Sequence, residues 1–146
     1  MGTRAVFTFF HQNVSNDAYS VYKHWDGYPD GAAEFLTKAI PFAWELPRYE
    51  PCDFAAAFVA ANKQKGGDVY MTTGSGAHGD LDYYYEIFPS TKNDQLCIYA
   101  YSVDNNGHSI IFEGRVKDFV DIYGSSDTKK MWNVHDKSLN KLDIGA

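Results

Sequence analysis

Residues that could do chemistry are concentrated in one glycine-rich stretch near the middle of the chain. Residues 74–79 read Gly-Ser-Gly-Ala-His-Gly, and Asp80 and Asp82 follow closely. In a dinucleotide-binding fold, glycines at this spacing let a helix N-terminus approach a pyrophosphate, so the motif must lie between a strand and a helix. Here residues 81–87 have the aromatic content and the alternation of a strand. The sequence therefore does not predict a dinucleotide site.

We interpret this stretch as a hairpin loop whose backbone amides and side chains contact a ligand or a partner. The residues predicted to bind are Gly74, Ser75, Gly76, His78, Asp80 and Tyr84. The alternative is a loop that is merely mobile, with recognition on the helical face of the protein. If the strands form a simple meander, the turn at residues 104–108 lies at the opposite end of the sheet.

His78, Asp80 and Asp82 also have side chains of the kinds that bind metals. Strand alternation directs Asp82 to the same side as Tyr84, however, and no complete set of ligands is evident. We therefore expect no metal and no cofactor. A small hydrolase or transferase with a site assembled from these residues and Glu86 remains the alternative to a binding protein.

Neither cysteine indicates a catalytic centre. Cys52 lies at a predicted helix start, where thiols are often reactive, but the sequence places no histidine or asparagine beside it. Cys97 lies inside a predicted strand and is expected to pack as a small hydrophobic residue. The pair has neither metal-binding spacing nor the pattern of a disulfide framework.

Tyrosine gives the second indication of a binding surface, since the chain has 11 Tyr and 10 Phe among 146 residues. Tyr83, Tyr84 and Tyr85 are consecutive in one predicted strand, and Tyr99 and Tyr101 lie in the next. Phenol groups are therefore expected on both faces of the sheet. Antiparallel sheets usually have one solvated face, and tyrosine is enriched at recognition surfaces. We expect a recognition platform for a protein or for a stacked small ligand.

Hydrophobic periodicity predicts the elements that position these residues. Alternation predicts a hairpin of strands at residues 4–11 and 19–25 around a loop at 12–17, and further strands at 68–73, 82–88, 95–103 and 108–113. Apolar spacing of three and four predicts one helix capped by Asp30, one from Pro51 to the glycine pair at 66–67, and one at 116–123. The prediction is a single α+β domain at residues 1–124, with a largely antiparallel sheet and two or three helices packed on one face. A tail of unassigned structure, residues 125–146, is expected to pack on the same domain.

Charge and hydropathy exclude several classes of protein. The net charge of −6, from 13 basic and 19 acidic residues, argues against binding to a nucleic-acid polymer, which depends on Lys and Arg at the phosphates. No run of about 18 uncharged apolar residues is present, so no membrane span is expected. The opening residues lack the pattern of a signal peptide, and a cytoplasmic location is the default expectation.

The segment Trp25-Asp26-Gly27-Tyr28-Pro29 resembles a motif of small uncharacterised phage and prophage proteins, in which a strand ends in this turn and a helix follows. The resemblance covers the first half of the chain and extends more weakly to residues 54–62. We expect a structural role for the turn, with Trp25 and Tyr28 capping the core.

What the resemblance implies is a biological context. Small acidic proteins of phage type often interfere with host machinery or host defence, either by occupying a partner protein or by sequestering a signalling nucleotide. The predicted function is therefore a non-enzymatic binding protein in the host cytoplasm, with a host protein or a small nucleotide as its partner. An accessory protein with an oligomeric role is a further alternative.

Overall fold

Six strands form one mixed sheet in the computed structural model, which describes residues 3–11, 14–45, 48–90 and 95–145. For residues 14–16 and 136–145 it describes the backbone only. The strands are β1 (Ala5–His11), β2 (Val14–Lys23), β3 (Val69–Thr72), β4 (Tyr83–Pro89), β5 (Leu96–Asp104) and β6 (Gly107–Arg115). The helices are α1 (Pro29–Ala39), α2 (Pro51–Asn62), α3 (Val116–Tyr123) and α4 (Ser126–Gly145), with 3-10 turns at Ile40–Phe42 and Ser75–Ala77. The predicted single α+β domain with a largely antiparallel sheet is confirmed.

The strand order is β3-β2-β1-β4-β5-β6, with one parallel pair in the middle. Strands β1 and β4 are parallel, with Ala5 opposite Tyr83, and every other adjacent pair is antiparallel. The simple meander is therefore wrong. A hairpin loop between β3 and β4 is wrong as well, because these strands run parallel with β2 and β1 between them. Parallel strands need a crossover connection, and residues 73–82, the crossover segment, provide it.

The core lies between the sheet and the helices. Alternation in β1 places Ala5, Phe7 and Phe9 on the helical side, where all three are fully buried. The Phe7 ring centroid lies 4.6 Å from that of Phe58 in α2 and 4.8 Å from that of Tyr85 in β4. Full burial of such a side chain contributes about 1.5–3 kcal/mol, so this layer fixes which face of the sheet the helices cover.

Several element ends differ from the predictions where local hydrogen bonds decide them. The residue at the cap position of α1 is Tyr28, so Asp30 lies in the first helical turn, near the positive end of the dipole, and its prediction as the cap was wrong. Helix α2 ends before the glycine pair, at Asn62, whose Nδ2 donates to the carbonyl oxygens of Phe58 at 3.0 Å and Phe35 at 3.1 Å. Strand β2 begins inside the predicted loop at residues 12–17, of which residues 12 and 13 lie outside the described ranges.

The turn after β2 is held by its backbone. Asp26 has a left-handed φ of 62°, and the Gly27 N–H donates to the Thr3 carbonyl at 2.8 Å. A Cβ atom at Gly27 would lie 2.7 Å from the same oxygen, so only glycine fits. Trp25 is half-buried, whereas Tyr28 is 53% exposed. The expectation that Tyr28 caps the core was therefore wrong, because the close approach of Gly27 to Thr3 fixes the turn without its ring.

The tail is helical and its first half is part of the domain. The Thr128 N–H donates to Ser125 Oγ at 3.1 Å, which caps the start of α4. Trp132 is 7% exposed and belongs to the main hydrophobic core. Within the described ranges, no helix combines the length and the apolar character that crossing a bilayer requires.

Candidate functional site

The crossover segment lies on the face of the sheet opposite the core, and we call this side the open face. Leu81 is buried against Val6 and Tyr22, two side chains that point away from the helices. The Val103 N–H donates to the Asp82 carbonyl at 2.9 Å, which ties the end of the segment to the end of β5. The β5–β6 turn therefore lies at the same end of the sheet as this part of the loop. The prediction of opposite ends was wrong because it assumed a meander.

His78 is held by two contacts on the open face. Its ring stacks on the Tyr22 ring with centroids 4.3 Å apart and planes inclined by 13°. Its Nε2 lies 2.8 Å from Thr72 Oγ1 in β3. The Tyr22 hydroxyl lies 2.8 Å from His24 Nδ1, so the ring beneath His78 is itself fixed. This part of the glycine-rich segment is thus docked on the sheet, which disagrees with the alternative of a merely mobile loop.

Asp80 and Asp82 are both engaged by one residue at the start of the sheet. Arg4 Nε lies 3.3 Å from Asp80 Oδ2, and the Arg4 backbone N–H donates to Asp82 Oδ2 at 3.0 Å. The two carboxylates therefore anchor the crossover segment to the residue before β1. Among the described residues, no group of three or more His, Cys, Asp or Glu side chains is close enough to hold a metal ion.

Gly74, Ser75 and Gly76 lie at the start of the 3-10 turn in the crossover segment. The Ala77 and His78 N–H groups donate to the carbonyls of Gly74 at 3.3 Å and Ser75 at 3.2 Å, so two backbone donors are used inside the turn. Gly74 has a positive φ of 146°, and no atom lies within 4 Å of a Cβ atom built at Gly74 or Gly76. The strand β4 follows this turn, which is not the helix that a pyrophosphate site requires.

Tyrosines from four strands share one row across the open face. The cross-strand register aligns six positions, one from each strand: Tyr70, Tyr22, Val6, Tyr84, Tyr101 and Ile110. Directly opposite residues in a sheet point to the same side, so these rings form a single band. Tyr85 points the other way, is fully buried, and donates to the Gly27 carbonyl at 2.7 Å. The prediction of phenol groups on both faces is confirmed.

Glu86 lies beside this band with two tyrosine hydroxyls on its carboxylate. Tyr101 donates to Glu86 Oε1 at 3.1 Å. The Tyr84 hydroxyl lies 3.2 Å from Glu86 Oε2 and 3.1 Å from Thr8 Oγ1, and its single proton can go to either oxygen. Thr8 Oγ1 is in turn 2.8 Å from Ser20 Oγ, so a polar network crosses four strands. Glu86 forms no ion pair among the described residues.

Both hydroxyls remain protonated donors over the physiological pH range. Burial raises the pKa of Tyr84 to about 12, and the negative charge of Glu86 adds to the shift while the hydrogen bond with Thr8 opposes it. Burial also raises the pKa of Tyr101 to about 12, and Glu86 reinforces this effect. The site is therefore one carboxylate that two neutral phenols orient.

His108 and Arg4 belong to the site although sequence reasoning did not select them. The His108 ring meets the rings of Tyr84 and Tyr101 edge-on, with centroids 5.5 and 6.0 Å away. A register shift in the β5–β6 pairing next to Tyr101 leaves Ile111 as an extra residue in β6. The Asn-Gly hairpin signal, combined with strand alternation, could have placed His108, whereas no local signal marks Arg4.

Among the described residues, no lysine of the strands lies on the open face. The six strands contain one lysine, Lys23, and it lies on the helical side opposite Ala5 and Val69. The crossover segment contains none. Arg4 is paired with Asp80, and Arg115 at the end of β6 is paired with Asp118 at 2.9 Å. The unpaired charge at the centre of this face is therefore negative.

The two cysteines lie in different elements. Cys52 is exposed on α2, on the other side of the molecule, and Cys97 is partly buried in β5. Comparisons with protein-family models, with curated proteins and with solved structures find no match to this chain.

Proposed function

We propose that this protein is a non-enzymatic binding protein that recognises another protein through its open face, with an arginine or lysine side chain of the partner on Glu86. One observation carries the proposal. The Glu86 carboxylate is oriented by Tyr84 and Tyr101 but has no cationic partner among the described residues. A half-buried carboxylate that two hydroxyls hold in place is prepared to accept a charge-assisted hydrogen bond.

The two rings whose hydroxyls contact Glu86 favour a cation as well. The Tyr84 and Tyr101 ring centroids lie 5.8 Å apart with planes inclined by 24°. The face of an aromatic ring attracts a cation with about 0.5–2 kcal/mol, more when the cation is desolvated. A guanidinium group is planar and fits both a carboxylate and a ring face, so arginine suits this arrangement better than lysine.

Charge and composition favour a protein over a nucleotide. A phosphate approaching Tyr84 and Tyr101 would meet the negative charge of Glu86 and no lysine of β4 or β5. Protein interfaces are enriched in tyrosine and depleted of lysine, as this face is. Sequestration of a nucleotide is therefore the less favoured form of the binding hypothesis.

The resemblance of the Trp25–Pro29 segment to small phage proteins supports a biological context for this binding. In that context the partner is a host protein, such as a defence protein, that is inhibited in the host cytoplasm. The alternative of a small hydrolase or transferase gains no support from geometry, because Arg4 engages Asp80 and Asp82, and Thr72 and Tyr22 engage His78. No acid–base pair is left free in that cluster.

A titration with small probes tests the chemistry of the site before any partner is known. The protein is titrated with N-acetyl-arginine amide, with the neutral N-acetyl-glutamine amide and with adenosine monophosphate, and NMR shifts are followed at the aromatic rings. We expect saturable shifts at Tyr84, Tyr101 and His108 with the arginine probe alone. Glu86→Gln should abolish them, while Glu45→Gln, an exposed carboxylate outside the open face, should leave them unchanged.

Two outcomes would refute the proposal. One is the absence of shifts at these rings with the arginine probe, or shifts that Glu86→Gln leaves unchanged. The other is saturable binding of the nucleotide at Tyr84 and Tyr101, which would favour sequestration of a nucleotide. For a partner captured from host lysate, Glu86→Gln should weaken affinity by about tenfold or more, the usual value of a hydrogen bond to a charged group.

A further inference from the structure

A cavity on the helical side, beneath the turn that follows β2, contains two buried groups of opposite charge. Its volume is about 330 Å³, and its wall includes Lys23, Trp25, Phe35 and Asp68. It is bounded by α1 and by the segment between α2 and β3. This cavity is separate from the open face, because Lys23 points to the opposite side of β2 from Tyr22.

Lys23 is the first of these groups. The residue is 6% exposed, and its Nζ lies 4.6 Å from the centroid of the Phe35 ring. Among the described residues, no hydrogen bond and no ion pair reaches this ammonium. Burial lowers the pKa of Lys23, although the charges of Asp68 and Asp26 act in the opposite direction. The ammonium has no hydrogen-bond partner among the described residues, so the wall of the cavity offers an unused donor.

Asp68 is the second group. The residue is 5% exposed, and its Oδ2 accepts from the backbone N–H groups of Gln64 at 3.0 Å and Lys65 at 3.3 Å. Its Oδ1 is buried and accepts no hydrogen bond, with Lys63 Nζ 3.9 Å away. The wall of the cavity therefore has a carboxylate oxygen that is ion-paired with Lys63 but accepts no hydrogen bond, in addition to the unused donor of Lys23.

The charged residues that line the cavity are equal in number for the two signs. Three lysines and three acidic residues line it: Lys23, Lys38, Lys65, Asp26, Glu34 and Asp68. Lys38 and Glu34 are paired with each other at 2.9 Å, and Lys65 Nζ lies 4.7 Å above the Trp25 ring. A balanced wall favours neither a bare anion nor a metal ion. It favours a molecule with both charges.

We propose that this cavity binds a small zwitterion of the α-amino acid class. The carboxylate of the ligand accepts from Lys23 Nζ, and its ammonium donates to Asp68 Oδ1. The ring of Trp25 gives the ligand side chain an apolar surface to pack against. Both groups are then satisfied by one molecule, and Asp68 Oδ1, which is buried 3.9 Å from Lys63 Nζ, has to turn towards the cavity to accept from the ligand.

Calorimetry and thermal-shift measurements with the standard α-amino acids, added one at a time, test this proposal. For any amino acid that binds, its N-acetyl derivative lacks the ammonium and its amide lacks the carboxylate, and inorganic phosphate serves as an anion alone. We expect saturable binding by the free amino acid, at least tenfold weaker binding by either derivative, and none by phosphate. Lys23→Met and Asp68→Asn should each weaken binding at least tenfold. Lys129→Met on α4 is the matched control and should bind like the wild type.

The stability of Lys23→Met separates a ligand site from a structural role. Methionine keeps the unbranched stem over Phe35 and removes the unpartnered ammonium, so we expect the melting temperature to stay the same or rise while binding is lost. If Lys23→Met fails to fold, Asp68→Asn and the two ligand derivatives decide the question. The proposal is wrong if no amino acid binds, if phosphate binds as well as the amino acid, or if the variants leave the affinity unchanged. Glu86→Gln should not affect this binding, so the result is independent of the function proposed for the open face.

Discussion

The rings of Tyr22 and His78 stack with centroids 4.3 Å apart, although one belongs to β2 and the other to the crossover segment. This stack, together with the bond of 2.8 Å between His78 Nε2 and Thr72 Oγ1, fastens the crossover segment to the sheet. The sequence pattern of this segment suggests a flexible loop. In the structure the segment is instead packed on one end of the open face.

His78→Ala should destabilise the protein by about 1–2 kcal/mol, since an aromatic pair and one hydrogen bond are lost together. Denaturant unfolding measures the change in the free energy of unfolding. Ser75→Ala, in the 3-10 turn of the same segment, should change the free energy of unfolding by less than about 0.5 kcal/mol, as surface substitutions usually do. Equal effects of the two substitutions would show that the stack contributes nothing.

Glu86→Gln should lower the pKa of Tyr101. Burial raises this pKa to about 12, and the negative charge of Glu86 contributes because it disfavours the tyrosinate. Glutamine removes the charge but keeps an acceptor, so the hydroxyl should ionise at lower pH than in the wild type. Ultraviolet titration of tyrosinate formation measures this, and Tyr101→Phe identifies which transition belongs to Tyr101. An unchanged transition would contradict the hydrogen bond between the two residues.

Stability should fall as the pH rises from about 10 towards 12. Burial raises the pKa of Tyr84 and of Tyr101 to about 12 and raises the pKa of Tyr49 and Tyr85 further. In the unfolded chain these groups ionise near pH 10, so the unfolded state binds fewer protons than the native state above that pH. The stabilisation is complete below pH 10 and is lost as the pH rises through the native pKa values. Denaturant midpoints across this range measure the loss. A flat profile would contradict the burial of these phenols.

Gly27→Ala should destabilise the fold by more than Tyr28→Ala. A Cβ atom at Gly27 would lie 2.7 Å from the Thr3 carbonyl oxygen and 2.8 Å from Ala5 Cβ, and such overpacking costs about 1–3 kcal/mol. Tyr28 is 53% exposed, so its truncation should cost less than the roughly 3–5 kcal/mol typical of a fully buried aromatic residue. Thermal unfolding of both variants gives the comparison. The reverse order would mean that the Tyr28 ring, rather than the backbone of the turn, holds this region.

NAD and NADP should cause no thermal shift. In the 3-10 turn of the crossover segment the Ala77 and His78 N–H groups donate to carbonyls of the turn itself, and the turn is followed by a strand and not by a helix. Saturable binding that Gly76→Val abolishes would contradict this expectation.

Local patterns predicted the elements well, because their causes are local. Alternation of Ala5, Phe7 and Phe9 with polar or opposite-facing residues follows from the pleat, and the Asn106-Gly107 pair specifies a tight hairpin that the structure contains. Helix α3 matches its predicted range of 116–123. These features depend on residues within a few positions of one another.

The candidate site was predicted in part, and the missing part is non-local. His78, Asp80 and Tyr84 were selected from their types and spacing, and all three lie on the open face or at its end. The contacts of Arg4 and Tyr22 with the crossover segment depend on the parallel pairing of β1 with β4. That pairing joins distant parts of the chain, and no pattern inside either strand distinguishes a parallel neighbour from an antiparallel one.

The parallel pairing of β1 with β4 also determines when the open face can form during folding. Paired strands in the β1–β2 hairpin and in the run from β4 to β6 follow one another closely in the sequence. Ala5 of β1, in contrast, pairs with Tyr83 of β4, which is synthesised much later. Contacts of such long sequence separation are slow to form. The hydrogen bond between Tyr84 and Thr8 joins these two strands, so a nascent or half-folded chain has no intact open face. The binding proposed for this face should therefore become possible late in folding, when the sheet is complete.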